Sequence, residues 1–226
     1  MKTRIFVAIF AVLAIAFFEI YMRTHVDLSG YKLPKCYPTG EMFPYKDAYG
    51  NIKYDSVYHT IADFKLTDQN GQMFTNSLLK GKIYVANFFF VTCPSICPRM
   101  TNLMSHLQNQ FKNDSTVAFL SHTVDPEHDS VSVLKMYEKQ NKIDGKQWHL
   151  LTGSREELFN LSKRSYYLGV ANDSPDNFEH SEKFVLIDDH RIIRGYYDGT
   201  DSAEVAKLAI DIKILLTEVK KEKYNL

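Results

Sequence analysis

The stretch of this sequence best suited to chemistry is Cys93-Pro94-Ser95-Ile96-Cys97-Pro98. Each cysteine precedes a proline, and a residue before proline is steered away from the α region. Proline also suits the first position of a helix. The spacing therefore predicts a helix that begins at Pro98, with Cys97 as its N-cap and Cys93 in the preceding turn. A thiolate at a helix N-terminus is stabilised by unpaired N–H groups and the helix dipole, so Cys97 is expected to be the more acidic thiol. Two thiolates in such a turn can close a disulfide or chelate a soft ion such as Cu(I).

A metal-free redox pair and two inert buried cysteines are the competing readings. Thioredoxin-like oxidoreductases place two residues between their cysteines, whereas three stand here. Peroxiredoxins carry a threonine three positions before the reactive cysteine, where this chain has Phe90. A copper site wants a further ligand, usually an imidazole. His180 lies just before an expected strand, in the loop that faces the cysteine turn in thioredoxin-like folds, and the proline that reducing enzymes carry there is absent between Phe178 and Phe184. His122, at the end of another strand, is the rival, and the residues alone leave both open. His122, His128 and Asp129 form a weaker candidate for a second metal cluster. Met100 and Met104 fall on an apolar helical stripe, which reads as core. The third cysteine, Cys36, stands apart without an assigned role. Three cysteines are too few for a disulfide scaffold or a four-thiolate zinc site.

Alternating strands and helices surround the motif. Ile61, Phe64 and Leu66, then Asn70-Gly71, then Met73-Phe74 predict a β-hairpin. Ile83 to Val91 is an almost unbroken apolar run, as in a central strand buried on both faces. Met100, Leu103, Met104, Leu107 and Phe111 repeat at helical spacing. Thr116–Val124 predicts a strand, and Asp129 is placed to cap a helix carrying Val131, Leu134 and Tyr137. Trp148–Thr152 is a short strand, followed by the capping box Ser154-x-x-Glu157 and a helix through Leu158, Leu161 and Tyr166. Lys183–Asp188 and Arg191–Tyr197 read as paired strands. Val205, Leu208, Ala209, Ile212, Leu215, Leu216 and Val219 mark one face of a final helix. This order predicts an α/β architecture with a mixed sheet covered on both faces, and the Cys turn at the carboxyl end of its central strand.

At the N-terminus Lys2 and Arg4 precede an apolar run, Ile5–Met22, broken only by Glu19 and Tyr21 and closed by Arg23. The run is near the lower limit for a span, and the small-residue pattern Ala14-Ile15-Ala16 lies inside it, so an uncleaved anchor is favoured over a cleaved signal. The basic flank leaves residues 1–4 in the cytoplasm and exports the rest. The expected organisation is a tail at 1–4, a transmembrane anchor at 5–22, an extended linker at 23–56 rich in proline and glycine, and one domain at 57–226. The 27 Lys and Arg residues balance 27 Asp and Glu residues, which argues against a nucleic-acid partner. A hydrophobic fraction of 45% is ample for a core of this size.

Taken together, Phe88-Phe89-Phe90-Val91-Thr92-Cys93-Pro94-Ser95-Ile96-Cys97-Pro98, Thr123-Val124-Asp125-Pro126-Glu127-His128-Asp129, Trp148-x-x-Leu151-Thr152-Gly153, His180-Ser181 and Arg194-Gly195-Tyr196-Tyr197-Asp198-Gly199 resemble the Sco/SenC family of copper chaperones. The resemblance spans roughly residues 57–217. It implies a thioredoxin-like three-layer fold, membrane anchoring in the cytoplasmic membrane with the domain in the periplasm or outside the cell, and copper held by Cys93, Cys97 and His180. It also implies Asp125 as an aspartate near the site that orients or tunes it. The implied role is building the dinuclear copper centre of cytochrome c oxidase, with oxidase subunit II or another copper chaperone as the receiving partner. Delivery of copper and reduction of the receiving thiols are both compatible with it, and a metal-independent thiol–disulfide oxidoreductase is the enzymatic alternative. Two departures, Val91-Thr92 and Ser130, touch no proposed ligand.

Overall fold

The computed structural model describes residues 30–47, 49–168 and 181–224. The Ile5–Met22 run and His180 lie outside these residues. Among the described residues no helix is long and apolar enough to cross a membrane.

Among the described residues nine strands and four α-helices follow one another. A two-stranded antiparallel ribbon, β1 (Pro38–Lys46) and β2 (Ile52–Tyr58), comes first. This differs from the extended linker expected there: the backbone is extended, but it pairs with itself. The hairpin β3 (Lys65–Asp68) and β4 (Met73–Thr75) forms at Asn70-Gly71 as expected. Then come β5 (Ile83–Phe89), α1 (Ile96–Phe111), β6 (Val117–Thr123), α2 (Val131–Gln140), β7 (Trp148–Thr152) and α3 (Arg155–Asn160). The chain closes with β8 (Lys183–Ile187), β9 (Ile193–Asp198) and α4 (Ser202–Tyr224).

The main sheet has the order β4-β3-β7-β6-β5-β8-β9. β5 pairs parallel with β6 and antiparallel with β8, so the sheet is mixed and β5 is internal. Every β5 residue is buried, which is why its sequence shows no alternation. Side chains alternate across the sheet. Ile83, Val85 and Phe89 meet Met100, Met104 and Leu107 of α1 and Leu208, Ile212 and Leu215 of α4. Tyr84, Ala86 and Phe88 meet Leu158 of α3 with Leu161 and Tyr166 just beyond it. Ser154 Oγ accepts the Glu157 N–H at 3.2 Å, one half of the expected capping box. The Glu157 carboxylate turns instead to the Lys65 N–H at 3.0 Å. Met100 and Met104 are wholly inside, as core.

Candidate metal centre

β5 delivers the chain to the cysteines at its carboxyl end, and α1 carries it away. The helix begins at Ile96 with Ser95 as N-cap, not at Pro98. The first four N–H groups of a helix have no helical acceptor, so a proline is tolerated throughout the first turn and does not mark the start. Cys97 therefore lies inside the helix, and Cys93 Sγ sits over its amino end. The Cys97 N–H donates to Cys93 Sγ at 3.5 Å, while the Cys93 N–H donates to the Phe90 carbonyl at 3.3 Å. Both cysteines are buried and unbridged.

This geometry reverses the expected order of acidity. Burial works against a Cys93 thiolate, but the N–H groups of Ser95, Cys97 and Ile96 and the Cys97 thiol outweigh it, so Cys93 falls below the ordinary thiol value. Burial pushes Cys97 up to about 12, only partly offset by the Phe90 backbone, and its neighbours Cys93 and Asp129 add to the rise. Cys97 is not the more acidic thiol because the helix N-terminus points at the other sulfur.

Asp129 is the carboxylate that ties the Cys turn to β6. It accepts from the Val91 N–H at 3.1 Å and from Thr123 Oγ1 at 2.5 Å, and it is 1% exposed. It is not the cap of α2; Ser130 holds that position. Burial raises its pKa against the pull of Thr123 and Val91. Asp125, the aspartate singled out from the sequence, has other partners. Its two oxygens each lie 2.9 Å from His128 Nδ1, and Arg155 Nη2 is 3.7 Å away. The signal that separates the two is Ser130: with a serine next to Val131, Asp129 is not needed as a cap.

His122 is buried on the opposite face of the sheet, stacked on Phe88 at 4.8 Å and tilted against Tyr166 at 5.5 Å. Burial lowers its pKa to about 4, against a weaker pull from the Asn87 carbonyl. It cannot join the cysteines. His128 is exposed, so His122, His128 and Asp129 do not converge. Among the described residues no three metal-ligating side chains gather. The dithiol itself fits a soft ion: two sulfurs in contact, one already drawn toward thiolate.

The SCO1/SenC family model matches residues 53–215. The chain belongs to the SCO1/SenC family. Among solved structures, the SCO1/SenC family lipoprotein of Bacillus anthracis is 32% identical, with TM-score 0.63, over 70% of this chain and 95% of that one. BsSco, described as a member of the Sco family of cytochrome c oxidase assembly proteins and as having a disulfide switch, is 28% identical, with TM-score 0.60, over 70% and 94%. Yeast Sco1 with copper bound is 28% identical, with TM-score 0.54, over 69% and 89%. The thioredoxin-like Sco fold with its central mixed sheet is thus the fold of the described residues.

Proposed function

We propose that this Sco protein binds copper through Cys93, Cys97 and His180 and serves the assembly of cytochrome c oxidase. Copper is its cargo, passed to the dinuclear copper centre of oxidase subunit II or exchanged with another copper chaperone. The observation that carries this reading is the pair of contacting thiols at the amino end of α1, with Cys93 held acidic by backbone N–H groups. The copper-bound yeast Sco1 and the assembly role of BsSco support it. His180 completes the set as the imidazole preceding β8, the antiparallel neighbour of β5. The Ile5–Met22 run anchors the chain in the cytoplasmic membrane with its domain on the outer side, where disulfides persist.

The asymmetry of the two thiols favours one second reading, a metal-independent thiol–disulfide oxidoreductase. A thiol with a lowered pKa beside one whose pKa burial raises is also an arrangement for attack on a client disulfide. Copper titration of the reduced, detergent-solubilised chain against a Cu(I) chelator separates the two. One tightly held copper, lost on oxidation to the disulfide and weakened for Cu(II) by His180→Ala, supports copper carriage. Thiol–disulfide exchange without tight copper binding gives the oxidoreductase the lead.

A further inference from the structure

The ribbon β1–β2 stands outside the seven-stranded sheet. Directly opposed residues of an antiparallel pair share a face. The register Met42↔Ser56, Pro44↔Tyr54 and Lys46↔Ile52 therefore collects six side chains on one side. Met42, Tyr54 and Ile52 are 62%, 62% and 65% exposed, and the side carries no carboxylate. The other side opposes Phe43 to Asp55 and Tyr45 to Lys53. Three large apolar side chains this exposed on one side, where no acidic group accompanies them, mark a contact surface, whereas Phe43 and Tyr45, 45% and 44% exposed, each stand opposite a charge.

Its occupant follows from how the preceding chain is held. Arg194, with its side chain 4% exposed, donates from Nη2 to the Leu33 carbonyl at 2.7 Å and from Nε to the Pro34 carbonyl at 3.0 Å. The same guanidinium pairs with Glu218 and Asp188. The Leu33 N–H meets Glu218 Oε1 at 2.6 Å, and the Cys36 N–H meets the Ile193 carbonyl at 2.9 Å. Residue 33 is thus clamped to β9 and α4. Residues 23–32 are all that separate it from the apolar run, and they bridge at most about 35 Å. The ribbon starts at Pro38, just past the clamp, and its longer strand, β1, reaches about 30 Å. Tyrosine beside methionine and isoleucine, with a lysine at the margin, is the composition of a membrane–water interface.

We infer that the Met42, Ile52 and Tyr54 side of the ribbon rests on the lipid surface and sets the tilt of the domain against the bilayer. This rests on the reading of Ile5–Met22 as an anchor.

The test uses the full chain reconstituted into phosphatidylcholine vesicles, with or without lipids spin-labelled on the acyl chain. Trp148, the one native tryptophan, is buried, so Tyr54→Trp adds a reporter on the proposed contact side and Tyr45→Trp one on the other. Labelled lipid should quench the Tyr54→Trp reporter more than about twofold more strongly than the Tyr45→Trp reporter. Adding Ile52→Asp to Tyr54→Trp should remove the difference. Equal quenching of the two reporters in vesicles that carry the chain on flotation overturns the inference and leaves the anchor standing. A chain that fails to float overturns the anchor itself. A Tyr54→Trp reporter shielded from aqueous iodide yet untouched by labelled lipid means that protein covers the face, which also overturns the inference.

Discussion

The two faces of the β5–β6 pair treat their buried polar groups in opposite ways. Under α1, polar atoms are aimed. Trp148 Nε1 donates to Ser121 Oγ at 2.8 Å, Ser121 donates to Asn87 Oδ1 at 2.6 Å, and Thr123 and the Val91 N–H converge on Asp129. Cys93 receives the amino end of a helix. Under α3, His122 Nε2 is buried without a hydrogen-bond partner among the described residues. A histidine and a cysteine equally capable of binding a metal thus end in environments that make one inert and the other reactive. Ligand chemistry resides in how the backbone aims at a side chain as much as in the side chain itself.

The sharpest way to break this contrast is to remove the sulfurs. Cys93→Ser and Cys97→Ser should each weaken Cu(I) binding by more than about a hundredfold, because even groups that merely orient a ligand cost about ten- to a hundredfold. His122→Phe should leave it unchanged. Chelator competition on the reduced chain reads both. A His122→Phe variant that loses copper would erase the distinction between the faces.

His122 offers the next test through stability. Its folded value of about 4 lies below the ordinary 6.5, so the unfolded chain takes up a proton first as pH falls. Stability from this group is intact above pH 6.5 and is lost progressively as pH falls toward 4. Between pH 7 and pH 5 the loss is about 2 kcal/mol. Urea unfolding of the wild type and of His122→Phe at the two pH values should show that difference, since the substitution deletes the titration and leaves the carboxylates in common. Identical pH dependence would mean that the imidazole is not held neutral.

The aimed face can be sharpened by asking which sulfur reacts. With Cys97 pushed up to about 12 and Cys93 lowered, iodoacetamide at pH 7 should modify Cys93 at least about tenfold faster, after allowing for the lower nucleophilicity of a more acidic thiol. One equivalent of Cu(I) should protect both. Mass mapping of the modified residues checks the order. Faster labelling of Cys97 would restore the arrangement expected from the sequence.

The contrast also explains what the sequence disclosed. The apolar run of β5, the helical stripe of α4 and the Asn70-Gly71 turn were legible because burial imposes a period or removes one. The ribbon was not: it lies outside the main sheet, its apolar alternation is confined to Ile52–Asp55, and its prolines and glycines read as a linker. The start of α1 was hidden because Pro98 is as comfortable in the third position as in the first. The acidity order was hidden with it, since moving the start by two residues transfers the free N–H groups from one sulfur to the other. His180 was singled out by its place before a strand and by family resemblance, while composition left it level with His122.

The two aspartates give the smallest effect and the finest distinction. Asp125 pairs with His128 and Arg155, whereas Asp129 holds Val91 and so fixes the turn that ends in Cys93. Two influences of Asp129 on copper oppose each other. Its hydrogen bonds keep the turn in place, which favours binding, but its charge raises Cys97, which disfavours the thiolate. Asp129→Ala removes both, and leaves the Val91 N–H and Thr123 Oγ1 without their acceptor, at a cost of about 1–3 kcal/mol in stability. If positioning dominates, this variant should bind Cu(I) about tenfold more weakly, at the low end of what ligand-orienting groups contribute. Asp129→Asn keeps an oxygen for the Val91 N–H while dropping the charge, so it should stay within about threefold of the wild type. Asp125→Ala should change affinity by less than about twofold, because its ion pairs with His128 and Arg155 are solvent-accessible and it makes no hydrogen bond to the Cys turn. Chelator competition on all three variants decides the matter. Weakening by Asp125→Ala greater than that by Asp129→Ala would transfer the supporting role back to Asp125, and tighter binding by Asp129→Ala would show that charge, not the hydrogen-bonded turn, governs the site.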